Sequence, residues 1–228
     1  MKTFTHSILA LVACASLMIG CSSPSSPSSS YAYHAGSTFI FKEYEIDSLG
    51  NYGPPKIAVD SVEAVGLSIG GWTNVSRIIE KAIGDTNTFM FYLAYRSNGD
   101  FAIGDSGFSS SAQIDWSILP TGSRKTIVVS DTMLSSTERE YESISYIGQE
   151  SITTPAGTFN SIKIEDKFTV TDTSSYPYSY INTDDIWYVP QLGMFVKIQG
   201  HISDTTTYTI GYTTTTESGN LMLLDSYK

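Results

Sequence analysis

Cysteine is almost missing from this chain. Among 228 residues only Cys14 and Cys21 occur, both within the first 21. Everything downstream therefore has no disulfide of its own, no thiol nucleophile and no cysteine-ligated metal. Histidine is as scarce: His6 stands in the same leading stretch, leaving His34 and His201. A histidine-rich zinc or iron centre is excluded on that count, so no metal and no cofactor is expected. Basic residues are few, 13 Lys plus Arg against 23 Asp plus Glu, for a net charge of −10. Such a chain lacks the cationic footprint that displaces counterions from phosphates, which argues against nucleic acid as a partner. Charged residues of both signs make up only 16% of the sequence, while 34 Ser and 25 Thr supply most of its polarity.

What is present begins with a leader. Lys2 precedes an apolar run, residues 8–20, that fits a secretory signal and is too short to span a bilayer. The run stops at Gly20-Cys21, and a Ser/Pro tract follows at 22–30. This segment resembles a bacterial lipoprotein signal, in which a small residue precedes a cysteine that is acylated and becomes the mature N-terminus. Met18 stands where that pattern prefers Leu. Leu11-Val12-Ala13-Cys14 matches letter by letter, but using it would cut the apolar run to about six residues. Cys21 is therefore the expected lipidation site. Residues 1–20 read as signal peptide, 21–30 as lipidated cysteine plus linker, and 31–228 as a single β-rich domain. The linker has no apolar residue to pack and spans at most about 30 Å, so it would hold the domain close to a membrane without embedding it.

Within 31–228 the dominant period is two. The segments 37–47, 56–68, 88–95, 101–103, 124–129, 140–147, 158–171, 185–189, 194–202, 205–216 and 221–224 read as strands. Ser97-Asn98-Gly99-Asp100 is a hairpin signal, because Asn and Gly tolerate the positive φ of a type I′ turn. Thr154-Pro155-Ala156-Gly157 and Pro190-Gln191-Leu192-Gly193 are further turns. In 74–83 the apolar residues Val75, Ile78, Ile79, Ala82 and Ile83 fall at helical spacing, and a strand through Val75, Arg77 and Ile79 competes. Many strands joined by short turns predict a mainly β fold: an antiparallel curved sheet, half-barrel or sandwich, with at most one or two short helices.

The turn-and-strand string Thr154-Pro155-Ala156-Gly157-Thr158-Phe159, Ile162-Lys163-Ile164, Trp187-Tyr188-Val189-Pro190 and Leu192-Gly193-Met194-Phe195-Val196-Lys197 resembles uncharacterised bacterial envelope lipoproteins similar to the half-barrel lipoprotein-carrier (LolA/LolB-like) proteins. The likeness covers roughly the last third of the chain and brings no catalytic residue. It implies a curved sheet whose concave apolar face can hold an acyl chain.

Candidate chemistry is thin. Gly66-Leu67-Ser68-Ile69-Gly70 matches the G-x-S-x-G nucleophile elbow, with Asp166 or Asp185 and then His201 in a permitted order. That motif needs a helix directly after the serine, and the helical spacing begins too late, near Asn74. Adjacent pairs such as Asp184-Asp185 and Glu165-Asp166 point to opposite faces of a strand and cannot aim at one substrate by spacing alone. Asp47-Ser48-Leu49-Gly50-Asn51 lacks the ligand order of a calcium loop and reads as a turn. Tyr176, Tyr178 and Tyr180 alternate, so an extended segment would set three rings on one side. Trp72, Trp116 and Trp187 read as core or pocket wall.

Taken together, these features lead us to expect a non-catalytic, lipid-anchored cell-envelope protein, placed at the outer membrane, that binds an apolar or small ligand or a partner. A surface-structural or adhesion-type lipoprotein without a pocket is the alternative, and a serine hydrolase using Ser68 a distant one. The ligand reading requires an apolar cleft bordered by 74–83 and by residues near Trp187, while strand 194–199 should place Phe195, Lys197 and Gln199 on one face and Met194, Val196 and Ile198 on the other.

Overall fold

The computed structural model describes residues 33–84, 88–95, 101–105, 115–120, 126–208 and 212–228. They form one antiparallel sheet of twelve strands, and no helix occurs among them. The strands are β1 (Thr38–Ile46), β2 (Lys56–Ile69), β3 (Trp72–Ala82), β4 (Phe89–Tyr95), β5 (Phe101–Asp105), β6 (Asp115–Leu119), β7 (Thr126–Met133), β8 (Glu138–Thr154), β9 (Gly157–Asp172), β10 (Tyr178–Val189), β11 (Met194–Thr207) and β12 (Thr213–Tyr227). Across the sheet they run β6-β5-β4-β3-β2-β1-β12-β11-β10-β9-β8-β7. Two meanders, β1–β6 and β7–β12, are thus sewn together where β1 pairs with β12. The sheet curls until β6 comes against β8, which nearly closes it into a barrel.

The inner face of this curl holds the main core. Phe39 and Phe41 of β1, Ile78 of β3, Phe91 and Leu93 of β4, Ile144 of β8, Ile164 of β9, Ile186 and Tyr188 of β10 and Leu224 of β12 are all buried there. Phe195 packs against Phe41 and Phe91, with ring centroids 5.7 and 6.3 Å apart, and Phe101 stacks on Tyr188 at 4.4 Å. Burying each such ring contributes about 1.5–3 kcal/mol.

The segment 74–83 lies in a strand. Its helical spacing has a specific cause: both faces of β3 are covered. Ser76 and Ile78 face the inner core, while Val75 joins a second cluster with Tyr92, Ala94 and Ala102 on the other side. Three register shifts between β2 and β3 let the tip of this hairpin bend. Leu67, Ile69 and Trp72 pack against the second cluster, and Trp72 stacks on Trp116 at 4.9 Å.

Other expectations need adjustment. Phe195 does not share a face with Lys197, because the β10–β11 register slips between Trp187 and Tyr188. That bulge turns Phe195 inward beside Met194 and Val196, and all three are buried. The stretch 205–216 is a hairpin rather than one strand: β11 ends at Thr207, β12 starts at Thr213, and the Tyr208 N–H donates to the Tyr212 carbonyl at 2.9 Å. Strand β6 was not anticipated. The Asn98-Gly99 turn and Arg124 lie outside the described residues, although β4 and β5 do pair as that turn requires.

Candidate functional site

Register places two rows of side chains side by side on the inner face. One row runs Met222, Ile198, Ile186, Ile164 across β12, β11, β10 and β9, starting from Glu43 of β1. The next row, one inward-facing position along each strand, runs Asn220, Gly200, Asp184, Asp166 and starts from Glu45. An apolar strip therefore lies against a polar one. A cavity of about 440 Å³ opens over both, lined by Glu43, Glu45, Lys56, Glu80 and Asp184 together with Ile186, Ile198 and Met222. Its size is within the usual range of small-molecule pockets, about 300–1,000 Å³.

Gly200 gives the polar row its shape. A Cβ at this position would stand 2.4 Å from Asn220 Oδ1 and 2.6 Å from Asp184 Oδ1. With only hydrogen there, the two oxygens converge over bare backbone. The Gly200 N–H donates to Asn220 Oδ1 at 2.9 Å, and Asn182 Nδ2 donates to Asp184 Oδ2 at 3.2 Å, which fixes both acceptors.

Carboxylates dominate the electrostatics. Burial raises the pKa of Glu43, Glu80 and Asp184 from their ordinary values. Asp166 is pushed up to about 7, first by burial and then by Glu142 and Asp184 nearby. Asp60 of β2 is only 1% exposed, and neither of its oxygens has a hydrogen-bond partner. Burial carries its pKa well above the usual value, helped by Glu80 and Glu43. Lys56 is the cation in the cavity wall, and it is engaged by Glu45 at 2.5 Å.

These acids were not anticipated as a group. Asp184 and Asp185 do point apart: Asp185 pairs with Lys163 at 2.7 Å, away from the cavity. The convergence comes from different strands, since Asp184 is in register with Asp166, and Asp60 with Glu80. A signal did exist. Several strands carry an acid two places from an inward apolar residue, as in Phe41/Glu43, Ala58/Asp60, Ile78/Glu80, Ile164/Asp166 and Ile186/Asp184.

The sequence candidates lie elsewhere. Ser68 is exposed near the end of β2, and the turn at Gly70-Gly71 leads into β3 rather than a helix. Gly66, Gly70 and Gly71 have φ of 72°, 58° and 81°, so these glycines serve the backbone of a bent hairpin tip. His201 pairs with Gly219, which faces Ile46, whereas β2 runs past the Thr38 end of β1 on its way to Ser68. Serine and histidine thus lie toward opposite ends of the sheet. Asp47 forms a turn, accepting from the backbone N–H groups of Leu49 and Asn51 at 2.9 and 2.8 Å. Tyr178 and Tyr180 alternate along β10, the first donating to Glu138 and the second edge-on to Phe168, while Tyr176 precedes the strand. Trp187 does not line the cavity; Lys163 and Lys197 lie 4.9 and 4.1 Å from its ring centre and its N–H meets Glu150. The cleft is bordered by Glu80 of the 74–83 segment and by Ile186 beside Trp187, as expected, but four carboxylates, Glu43, Glu45, Glu80 and Asp184, stand in its wall. Cys21 lies outside the described residues.

Two solved structures are similar to this chain. One is a candidate exported protein with a YmcC-like fold from Bacteroides fragilis, 13% identical, with 87% of this chain and 98% of that one covered at a TM-score of 0.45. The other is a candidate lipoprotein from Parabacteroides distasonis, 15% identical, covering 87% of this chain and 97% of that one at a TM-score of 0.43. No protein-family model and no curated protein matches the chain.

Proposed function

We propose that this protein is a non-catalytic, lipid-anchored component of a bacterial cell envelope, held at the outer membrane through Cys21, whose β-domain binds a small molecule with an apolar body. The observation that carries the binding half of this reading is the cavity over the Met222–Ile198–Ile186 row. A solid core would have filled that space with side chains. The anchoring half rests on the leader and the Ser/Pro linker at 22–30. Protein freed of its anchor by cleavage in the linker, and purified without detergent, should carry a co-purifying small molecule in native mass spectrometry. It should also bind the uncharged dye Nile red saturably. A clean apo mass with no saturable binding would instead favour the surface-structural lipoprotein.

A further inference from the structure

We infer that the cavity is built for an amphiphilic amine, with the ammonium head against Asp184, Glu43 and Glu80 and the hydrocarbon body along Met222, Ile198 and Ile186. This rests on the ligand-binding reading above and names the class of ligand.

Three independent features point the same way. The first is the arrangement of the wall. Register sets the apolar row beside the polar row, so a molecule lying across them meets hydrocarbon on one side and oxygen acceptors on the other. The second is the bare backbone at Gly200, over which Asp184 Oδ1 and Asn220 Oδ1 converge. An ammonium brings three donors and no acceptor, which suits convergent oxygens. A carboxylate or phosphate head would meet like charge at Glu43, Glu80 and Asp184, and Lys56 is already held by Glu45.

The third feature is Asp60. It stands opposite Glu80 in the β2–β3 register, 1% exposed, with both oxygens unbonded. A buried carboxyl with no hydrogen-bond donor in reach is costly, and Asp60 leaves two oxygens unmet beside Glu80. A bare metal ion does not meet this demand, because no three acids among the described residues are placed to hold one. An organic cation needs no such tight polyhedron. Its body also uses the isoleucines and methionine that a metal would leave idle.

The test uses full-length lipidated protein in lipid nanodiscs, titrated calorimetrically at pH 7 with hexylamine, hexanol and hexanoate, with empty nanodiscs subtracted. Hexylamine should bind about tenfold or more tighter than hexanol, and hexanoate weakest. Asp184→Asn should reduce hexylamine affinity about tenfold and leave hexanol nearly unchanged. The comparison of three ligands on the unaltered protein keeps the test valid if that variant folds poorly. Hexanol binding as tightly as hexylamine would overturn the amine assignment and leave the small-ligand reading standing. Binding of none of the three, together with no Nile red uptake, would overturn both.

Discussion

Asp60 and Glu80 face each other directly across the β2–β3 ladder, both on the inner side of the sheet. Like charges in that relation repel, and burial raises the cost of ionising either one. Glu43 adds to the repulsion from the far side of β2, and no hydrogen bond reaches Asp60 to relieve it. Ionisation of Asp60 and Glu80 in the folded domain is therefore opposed, with burial the first cause for both.

Stability should run against the usual acid trend. Asp60, Glu80, Glu43, Asp184 and Asp166 have folded-state pKa values above their unfolded ones, Asp166 reaching about 7 from 3.8. Between those values the folded state binds more protons than the unfolded state, so stability falls as pH rises through the window. The melting temperature should be higher at pH 5 than at pH 8, by about 2–4 °C for each kcal/mol involved. Asp60→Asn should raise it at pH 8 and narrow the difference. A melting temperature that drops steadily from pH 8 to pH 5 would contradict this account.

Two glycines should tolerate nothing larger. In Gly200→Ala the new methyl meets Asn220 Oδ1 and Asp184 Oδ1, side-chain atoms that can swing away, at the expense of the cavity. In Gly219→Ala it meets the Gly200 carbonyl oxygen at 2.6 Å, which is backbone and cannot. Gly200→Ala should cost about 1–3 kcal/mol in urea unfolding and weaken ligand binding. Gly219→Ala should cost more. Equal stability of both variants to the parent would show that the rows lie farther apart than described.

Ser68→Ala should leave folding and any esterase activity unchanged, since the serine sits in a bent hairpin tip away from His201. A fluorophosphonate probe should leave Ser68 unlabelled. Covalent labelling there would restore the hydrolase alternative.

Cys21→Ser should abolish incorporation of a labelled fatty acid and move the protein out of the membrane fraction, while Cys14→Ser should do neither. Label retained in the Cys21 variant would place the acylated residue elsewhere.

The fold was legible where one face of a strand is wet. Thr38–Ile46 and Lys56–Ile69 alternate because their outward residues meet water, and period two survives. It was illegible where both faces are dry or the pleat slips. Val75 and Ile78 serve two different clusters, which mimics a helix, and the bulge beside Trp187 turns Phe195 against the alternation. Strand β6 is five residues long and one polar position interrupts its apolar ones, too little pattern to read. The acids of the cavity were hidden for a different reason: Asp184 and Asp166, or Asp60 and Glu80, meet only through strand pairing, which spacing along the chain does not encode.

The place of β1 in the sheet has a mechanical meaning. It comes first in chain order among the described strands, yet it lies in the middle, hydrogen-bonded to β2 on one side and β12 on the other. At its beginning Thr38 and Lys228 exchange backbone hydrogen bonds of 2.9 and 3.0 Å. If the domain is anchored through Cys21 as proposed, a pull entering at the start of β1 and directed along it would load many rungs at once, in shear, where an edge strand peeled from the side would yield rung by rung. Drag on a domain anchored in that way would thus enter through a strand paired on both sides, and the cavity, whose wall includes Glu43 and Glu45 of that same strand, would keep its shape under load.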